Sequence, residues 1–142
     1  MEIKKRILSL DIGTKRIGVA ISDVFWMGAS PVKVIRRTSD DAARNEIEAV
    51  LKEYNTDVIL IGVPYNMDGT LGFQAKNCLE FIKPLRNKYT VLEQDERLSS
   101  STAEDILKNQ GKKYTKNKQL VDITAACVIL QEYLENIKTK EK

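Results

Sequence analysis

Apolar and polar positions change period several times along the chain, and each change marks an element. From Arg6 to Ile12 the alternation puts Ile7, Ser9 and Asp11 on one face and Leu8, Leu10 and Ile12 on the other, which predicts a strand. Gly13-Thr14-Lys15 is a short turn, and Arg16–Ser22 returns as a second strand. One of its faces is Ile17, Val19 and Ile21; the other is Gly18, Ala20 and Ser22, small enough for close approach by a helix or a substrate backbone. Val32–Arg37, following Pro31, reads as a third, half-exposed strand.

The period then becomes helical. Ala43, Ile47, Val50, Leu51 and Tyr54 form one stripe, with Thr38 or Ser39 as N-cap and Asp40 and Asp41 favourable in the first turn. Asp57–Val63 is apolar almost throughout, as a central parallel strand covered on both faces would be. A second helix carries Leu71, Ala75, Cys78, Leu79 and Ile82 and stops near Pro84. Tyr89–Gln94 is a further strand. Ser101 with Glu104 makes a capping box for a third helix that Gly111 ends. After the polar stretch Lys112–Asn117, a last helix covers Lys118–Ile137, with a frayed tail at 138–142. The order β-β-β-α-β-α-β-α-α predicts one α/β domain over 1–142. Its mixed five-stranded sheet, antiparallel over the first three strands, is flanked by helices on both faces.

Composition narrows the chemistry. Hydrophobic residues make up 42% and charged residues 30% of 142, ordinary globular proportions, and a net charge of +3 permits a polyanionic partner without requiring one. There is no histidine, which excludes Ser-His-Asp and Cys-His catalysis and His-containing zinc sites. Cys78 and Cys127 fall in apolar helical patterns and read as inert thiols. The start shows no apolar signal segment, and the run Val58–Val63 is too short to span a bilayer. A cytoplasmic protein with no membrane association is expected.

Three acids stand out by position. Asp11 ends the first strand; Glu96, with Asp95 beside it, ends the last; Asp122 lies one turn into the final helix, on a face continued by Ala125, Ala126, Ile129 and Tyr133. Carboxylates gathered from strand ends and an adjoining helix can hold two divalent ions about 4 Å apart, and an oxygen-only ligand set selects Mg²⁺ or Mn²⁺. Asp68 or Asp95 could add a ligand. Each acid also has a plain alternative: Asp11 a turn residue before Gly13, Glu96 a partner of Arg97 or Lys15, Asp122 a displaced helix cap.

The loop Pro64–Thr70, between strand and helix, is where open α/β sheets bind ligands, and Asn66 could touch phosphate there. Asp68 could equally make an Asx turn and cap the helix. Lys15, Arg16 and Arg97, near the acids, and Lys112, Lys113 and Lys116 in the basic stretch are further candidates for contacting a nucleic-acid backbone. A solvated lysine run is the plainer reading of that stretch.

Four ordered blocks carry a family resemblance: Asp11-Ile12-Gly13-Thr14-Lys15-Arg16-Ile17-Gly18-Val19-Ala20, Gly62-Val63-Pro64-Tyr65-Asn66-Met67-Asp68-Gly69, Asp95-Glu96-Arg97-Leu98-Ser99-Ser100 and Val121-Asp122-Ile123-Thr124-Ala125-Ala126. Over nearly the whole chain they resemble the YqgF family, named as Holliday junction resolvases or pre-16S rRNA processing nucleases. The resemblance implies a ribonuclease-H-like fold and catalytic acids Asp11, Glu96 and Asp122. It also implies a nuclease acting on precursor rRNA or branched DNA, as monomer or homodimer. Better-known resolvases of this fold have a glutamate at the end of the fourth strand, where this chain has Gly62-Val63-Pro64; Glu96 would have to replace it from the neighbouring strand. Two other classes compete. Asp-Ile-Gly-Thr followed by Gly-Val-Ala also looks like the first phosphate loop of actin-like ATPases, which need a second domain that 142 residues leave no room for. The other is a non-catalytic RNA-binding module on the same fold.

Overall fold

The apolar runs Ile7–Ile12 and Val58–Val63 pair in parallel at the centre of the sheet, and the remaining strands add outward from them. In a computed structural model, which describes residues 2–96 and 118–141, the elements are β1 (Ile7–Ile12), β2 (Arg16–Ser22), β3 (Ala29–Arg36), α1 (Asp40–Glu53), β4 (Val58–Val63), α2 (Phe73–Ile82), a 3-10 turn (Lys83–Asn87), β5 (Thr90–Asp95) and α3 (Lys118–Glu141). Side chains are described over 2–96 and 123–138. The five strands lie in the order β3-β2-β1-β4-β5, antiparallel from β3 to β1 and parallel from β1 to β5. This is the expected mixed sheet.

The alternation read from the sequence sorts the two faces. Leu8, Leu10, Ile12, Ile17, Val19, Ile59, Ile61 and Val63 face α1 and α2, and pack with Ile47, Leu51, Phe81 and Ile82. Each such side chain stabilises the fold by roughly 1.5–3 kcal/mol when fully buried. Ile7 and Leu60 face α3 and meet Ile129, Leu130 and Leu134. Ser9, Gly18, Ala20 and Ser22 share that second face by register with Leu60 and each other. The small side chains let α3 come close enough for Ser9 Oγ–H to donate to the Ala126 carbonyl at 2.9 Å. Ser22 Oγ accepts from the Ile7 N–H at 2.7 Å, so both buried hydroxyls are satisfied.

Some boundaries differ from the sequence reading. β3 starts at Ala29 and includes Pro31, tolerated because β3 is an edge strand with a bulge opposite Val19/Ala20. α1 is capped by Ser39, whose side chain accepts from the Ala42 N–H. α2 begins at Phe73 with Gly72 as N-cap and no side-chain cap, so Asp68 does not cap it and Leu71 stays outside the helix, exposed. Phe81, absent from the expected stripe, is buried. α3 continues to Glu141, beyond the expected end at Ile137. The expected third helix at 101–111 and the basic stretch Lys112–Asn117 lie outside the described residues. Among the described residues, no helix is long and apolar enough to cross a membrane.

Candidate active site

Asp11 is the next-to-last residue of β1, opposite Gly18 of β2. It is half-buried, on the face that α3 covers. β4 contributes no side chain to this face at its end: a Cβ built on Gly62 would lie 2.7 Å from Ile129 Cδ1 of α3 and 2.8 Å from Glu96 Cγ. Glu96 follows β5, and its N–H donates to the Val63 carbonyl at 2.9 Å, which extends the β4–β5 ladder by one residue. The pleat therefore turns Glu96 to the same face as Leu92 and Gln94. The residue is only 7% exposed.

Thus Glu96 fills the space that a side chain at the end of β4 would need. Asp11 and Glu96, 85 positions apart in the sequence, converge on one sheet face beneath α3. Asp122 belongs to α3, one turn before the Ala126 that docks on Ser9; its side chain lies outside the described residues. Among the described residues no three carboxylates or thiols gather at metal-binding distance, and Asp122 is the expected third member. Hard oxygen donors of this kind suit a divalent ion.

The remaining candidates divide. Asp95 is paired with Val63, so it faces away from Asp11, beside Tyr65. The Tyr65 hydroxyl donates to Glu93 at 2.8 Å; that bond, burial and the charges of Glu93 and Asp95 push its pKa up. Asp68 Oδ1 accepts from the Thr70 N–H at 3.0 Å and its hydroxyl at 2.6 Å, the Asx-turn arrangement. Asn66 lies in the same loop, with Nδ2 donating to Thr70 Oγ at 3.0 Å and its N–H to the Thr70 carbonyl. Arg16 stands on the Asp11 face at the end of β2, while Lys15 is exposed in the turn. Arg97, Lys112, Lys113 and Lys116 lie outside the described residues.

Two arginines escaped the sequence reading. Arg36 pairs directly with Arg16 across β2 and β3, which places two arginines side by side at one end of the sheet. Arg37 is almost buried at its side chain, 8% exposed. Its Nη1 donates to the Gly13 carbonyl at 2.8 Å, its Nε to Asp40 Oδ1 at 2.7 Å, and its guanidinium lies 4.7 Å from the Phe81 ring centroid. Its backbone N–H also holds the Lys15 carbonyl. Arg37 thus clamps the turn that follows Asp11 to the start of α1. The only sequence signal was Asp40 three positions on. Gly13 is required in that turn, because a Cβ there would lie 2.7 Å from the Arg16 carbonyl oxygen. Near the same turn Cys78 is buried; burial first, and then the charge of Asp11, push its thiol up to about 12, so it is protonated and inert as a nucleophile.

A five-stranded mixed sheet of this strand order, with helices on both faces, is the ribonuclease-H-like fold. Solved structures share that fold. The Fowlpox virus resolvase in complex with Holliday junction DNA superposes with a TM-score of 0.58 over 93% of this chain and 98% of that one, at 20% identity. The Thermus thermophilus RuvC complex with Holliday junction substrate gives 0.52 over 93% and 95%, at 12% identity. These identities establish the fold. The chain belongs to the RuvX family, described as Holliday junction resolvase, whose model matches residues 5–136. Curated relatives named "Putative pre-16S rRNA nuclease" agree: that of Crocosphaera subtropica is 46% identical over 90% of this chain and 91% of its own, and that of Desulforamulus reducens 40% over 92% and 97%. The family is one of nucleases, hydrolases of phosphodiester bonds, as the resemblance implied.

Proposed function

We propose that the protein is a metal-dependent endonuclease that cuts structured nucleic acid, with precursor 16S rRNA as its substrate. The observation that carries this reading is the convergence of Asp11 and buried Glu96 on the α3 face, with Glu96 occupying the space left by Gly62. Asp11, Glu96 and Asp122 would hold divalent Mg²⁺ or Mn²⁺, two ions in all. Bound there, the ions supply Lewis-acid stabilisation of charge on the phosphodiester oxygens and ease deprotonation of water.

The chain's own groups do the rest. Asp11 and Glu96 present carboxyl oxygens, and Ser9 and Ala126 set the distance between α3 and the sheet. Arg16 and Arg36 offer guanidiniums to a phosphate at the same end of the sheet. No histidine is required for any of these roles. The rRNA assignment follows the names of bacterial relatives at 36–46% identity, and a cytoplasmic location goes with that proposal.

A second reading, cleavage of branched DNA, is favoured by the family description. It demands a two-fold dimer with paired sites. The test is cleavage of a 5′-extended 16S precursor and of a four-way DNA junction, each with Mg²⁺ and Mn²⁺, by wild type, Asp11→Asn and Asp122→Asn. Cutting of the RNA that either substitution abolishes is expected. Failure of the wild type on both substrates would sink the nuclease reading. Mn²⁺ binding followed by electron paramagnetic resonance should disappear in Asp11→Asn, which separates an enzyme from a non-catalytic RNA-binding module.

A further inference from the structure

At the end of the sheet opposite Asp11, the chain leading into β1, the loop after β2 and the C-terminus of α1 enclose a cleft of about 560 Å³. Lys4, Lys5, Arg6 and Lys52 line it, against the single carboxylate of Asp57. Lys5 Nζ donates to both Asp57 oxygens at 3.0 Å, so those two charges offset each other. Among the described residues, Lys4, Arg6 and Lys52 form no ion pair.

Two of these three cations are held in place by aromatic rings. Lys4 Nζ lies 4.6 Å from the Trp26 ring centroid, and the Arg6 guanidinium 5.8 Å from that of Tyr54. Trp26 is itself fixed. Its indole N–H donates to the Lys5 carbonyl at 2.8 Å, and its backbone adopts φ 56°. The loop around it is tied by the Asp23 carboxylate, which accepts from the N–H groups of Phe25, Met27 and Gly28. The negative pole of α1 does not cancel the cleft's charge. The Lys52 and Leu51 carbonyls accept from the Asn55 and Thr56 N–H groups, with Asn55 at φ 53° closing the helix.

We infer that this cleft is a second nucleic-acid site, which grips backbone phosphates through Lys4, Arg6 and Lys52 away from the carboxylates that cut. The identity of the polyanion rests on the nuclease reading; the charge and geometry of the cleft do not. Arg6 immediately precedes β1 and Asp11 lies near its far end, about 17 Å away, and helices cover both sheet faces between them. A fragment shorter than this span cannot reach both ends. A folded or branched nucleic acid can, by bringing a second arm to the cleft.

The test measures binding of a labelled RNA hairpin and a labelled four-way DNA junction without metal, so that cleavage plays no part. Lys4→Gln/Lys52→Gln is compared with Lys33→Gln/Lys76→Gln, which removes the same charge from β3 and α2. The first pair should weaken binding about tenfold at moderate salt and flatten the plot of log affinity against log salt by about 2; the second should change little. Loss on RNA alone or DNA alone supports the site and names the backbone it holds. Equal slopes for the two variants on both probes overturn it, as does lysine-dependent binding of polyglutamate without nucleic acid, which would point to an acidic protein. Unchanged thermal melting shows that the variants are folded. Wild-type protein that binds through these lysines yet never cuts would sink the nuclease reading and leave the cleft standing.

Discussion

At Gly62 a single hydrogen stands where any larger residue would collide with two side chains of unequal give. The Ile129 end can swing aside, whereas Glu96 Cγ lies close to its own backbone. Gly62→Ala should therefore cost about 1–3 kcal/mol of stability, the usual scale for overpacking, and should displace the Glu96 carboxylate. Adding Ile129→Val relieves one collision only. We expect the double variant to recover much of its melting temperature but not Mn²⁺ affinity or cleavage. Equal recovery of both would show that Glu96 has no special place in the site.

Arg37 joins three elements: the turn after β1, the end of β3 and the start of α1. Replacing it by Gln removes charge-assisted hydrogen bonds worth roughly 1.5–3 kcal/mol each and the stack on Phe81, so urea denaturation should show a loss of at least about 2 kcal/mol. The hydrogen bond from Arg37, opposed by partial burial and aided by the charges of Arg37 and Arg44, holds the Asp40 carboxyl below its ordinary 3.8. A depressed carboxylate stabilises the fold fully above its unfolded value. That contribution is lost as pH falls through the lowered folded value. Wild type should thus lose stability on acidification from about pH 4 downward, and Asp40→Asn should remove that part of the slope. Melting curves at stepped pH values check it.

At the scale of the whole molecule, α3 holds to the sheet, among the described residues, through the apolar layer of Ile7, Leu60, Ile129, Leu130 and Leu134, and it carries Asp122. Leu130→Ala should cost about 2–5 kcal/mol, and cleavage should fall with α3 docking before the α1/α2 layer melts. Hydrogen exchange of α3 against α1 amides would resolve the two. Subunit number belongs to this scale too. Light scattering that finds a monomer at working concentration favours single cuts in RNA, since paired cuts in a junction need two facing sites.

Much of this was legible in the chain itself. Local periodicity determined the five strands, two of the helix stripes and the mixed sheet, because apolar alternation of period two and spacing of 3.6 are properties of neighbouring residues. It also marked Asp11 and Glu96, since both stand at strand ends. Interactions across the sequence were invisible to it. Pro31 could enter β3 only because tertiary pairing made that strand an edge. Arg37 became a clamp only once Gly13 and Phe81 lay beside it. The exchange of a β4 side chain for Glu96 depended on Ile129, 67 residues beyond Gly62. The sequence by itself settled which residues are strand, helix and acid; the tertiary structure decided which acids share a face, because that depends on strand order and on how closely α3 can approach.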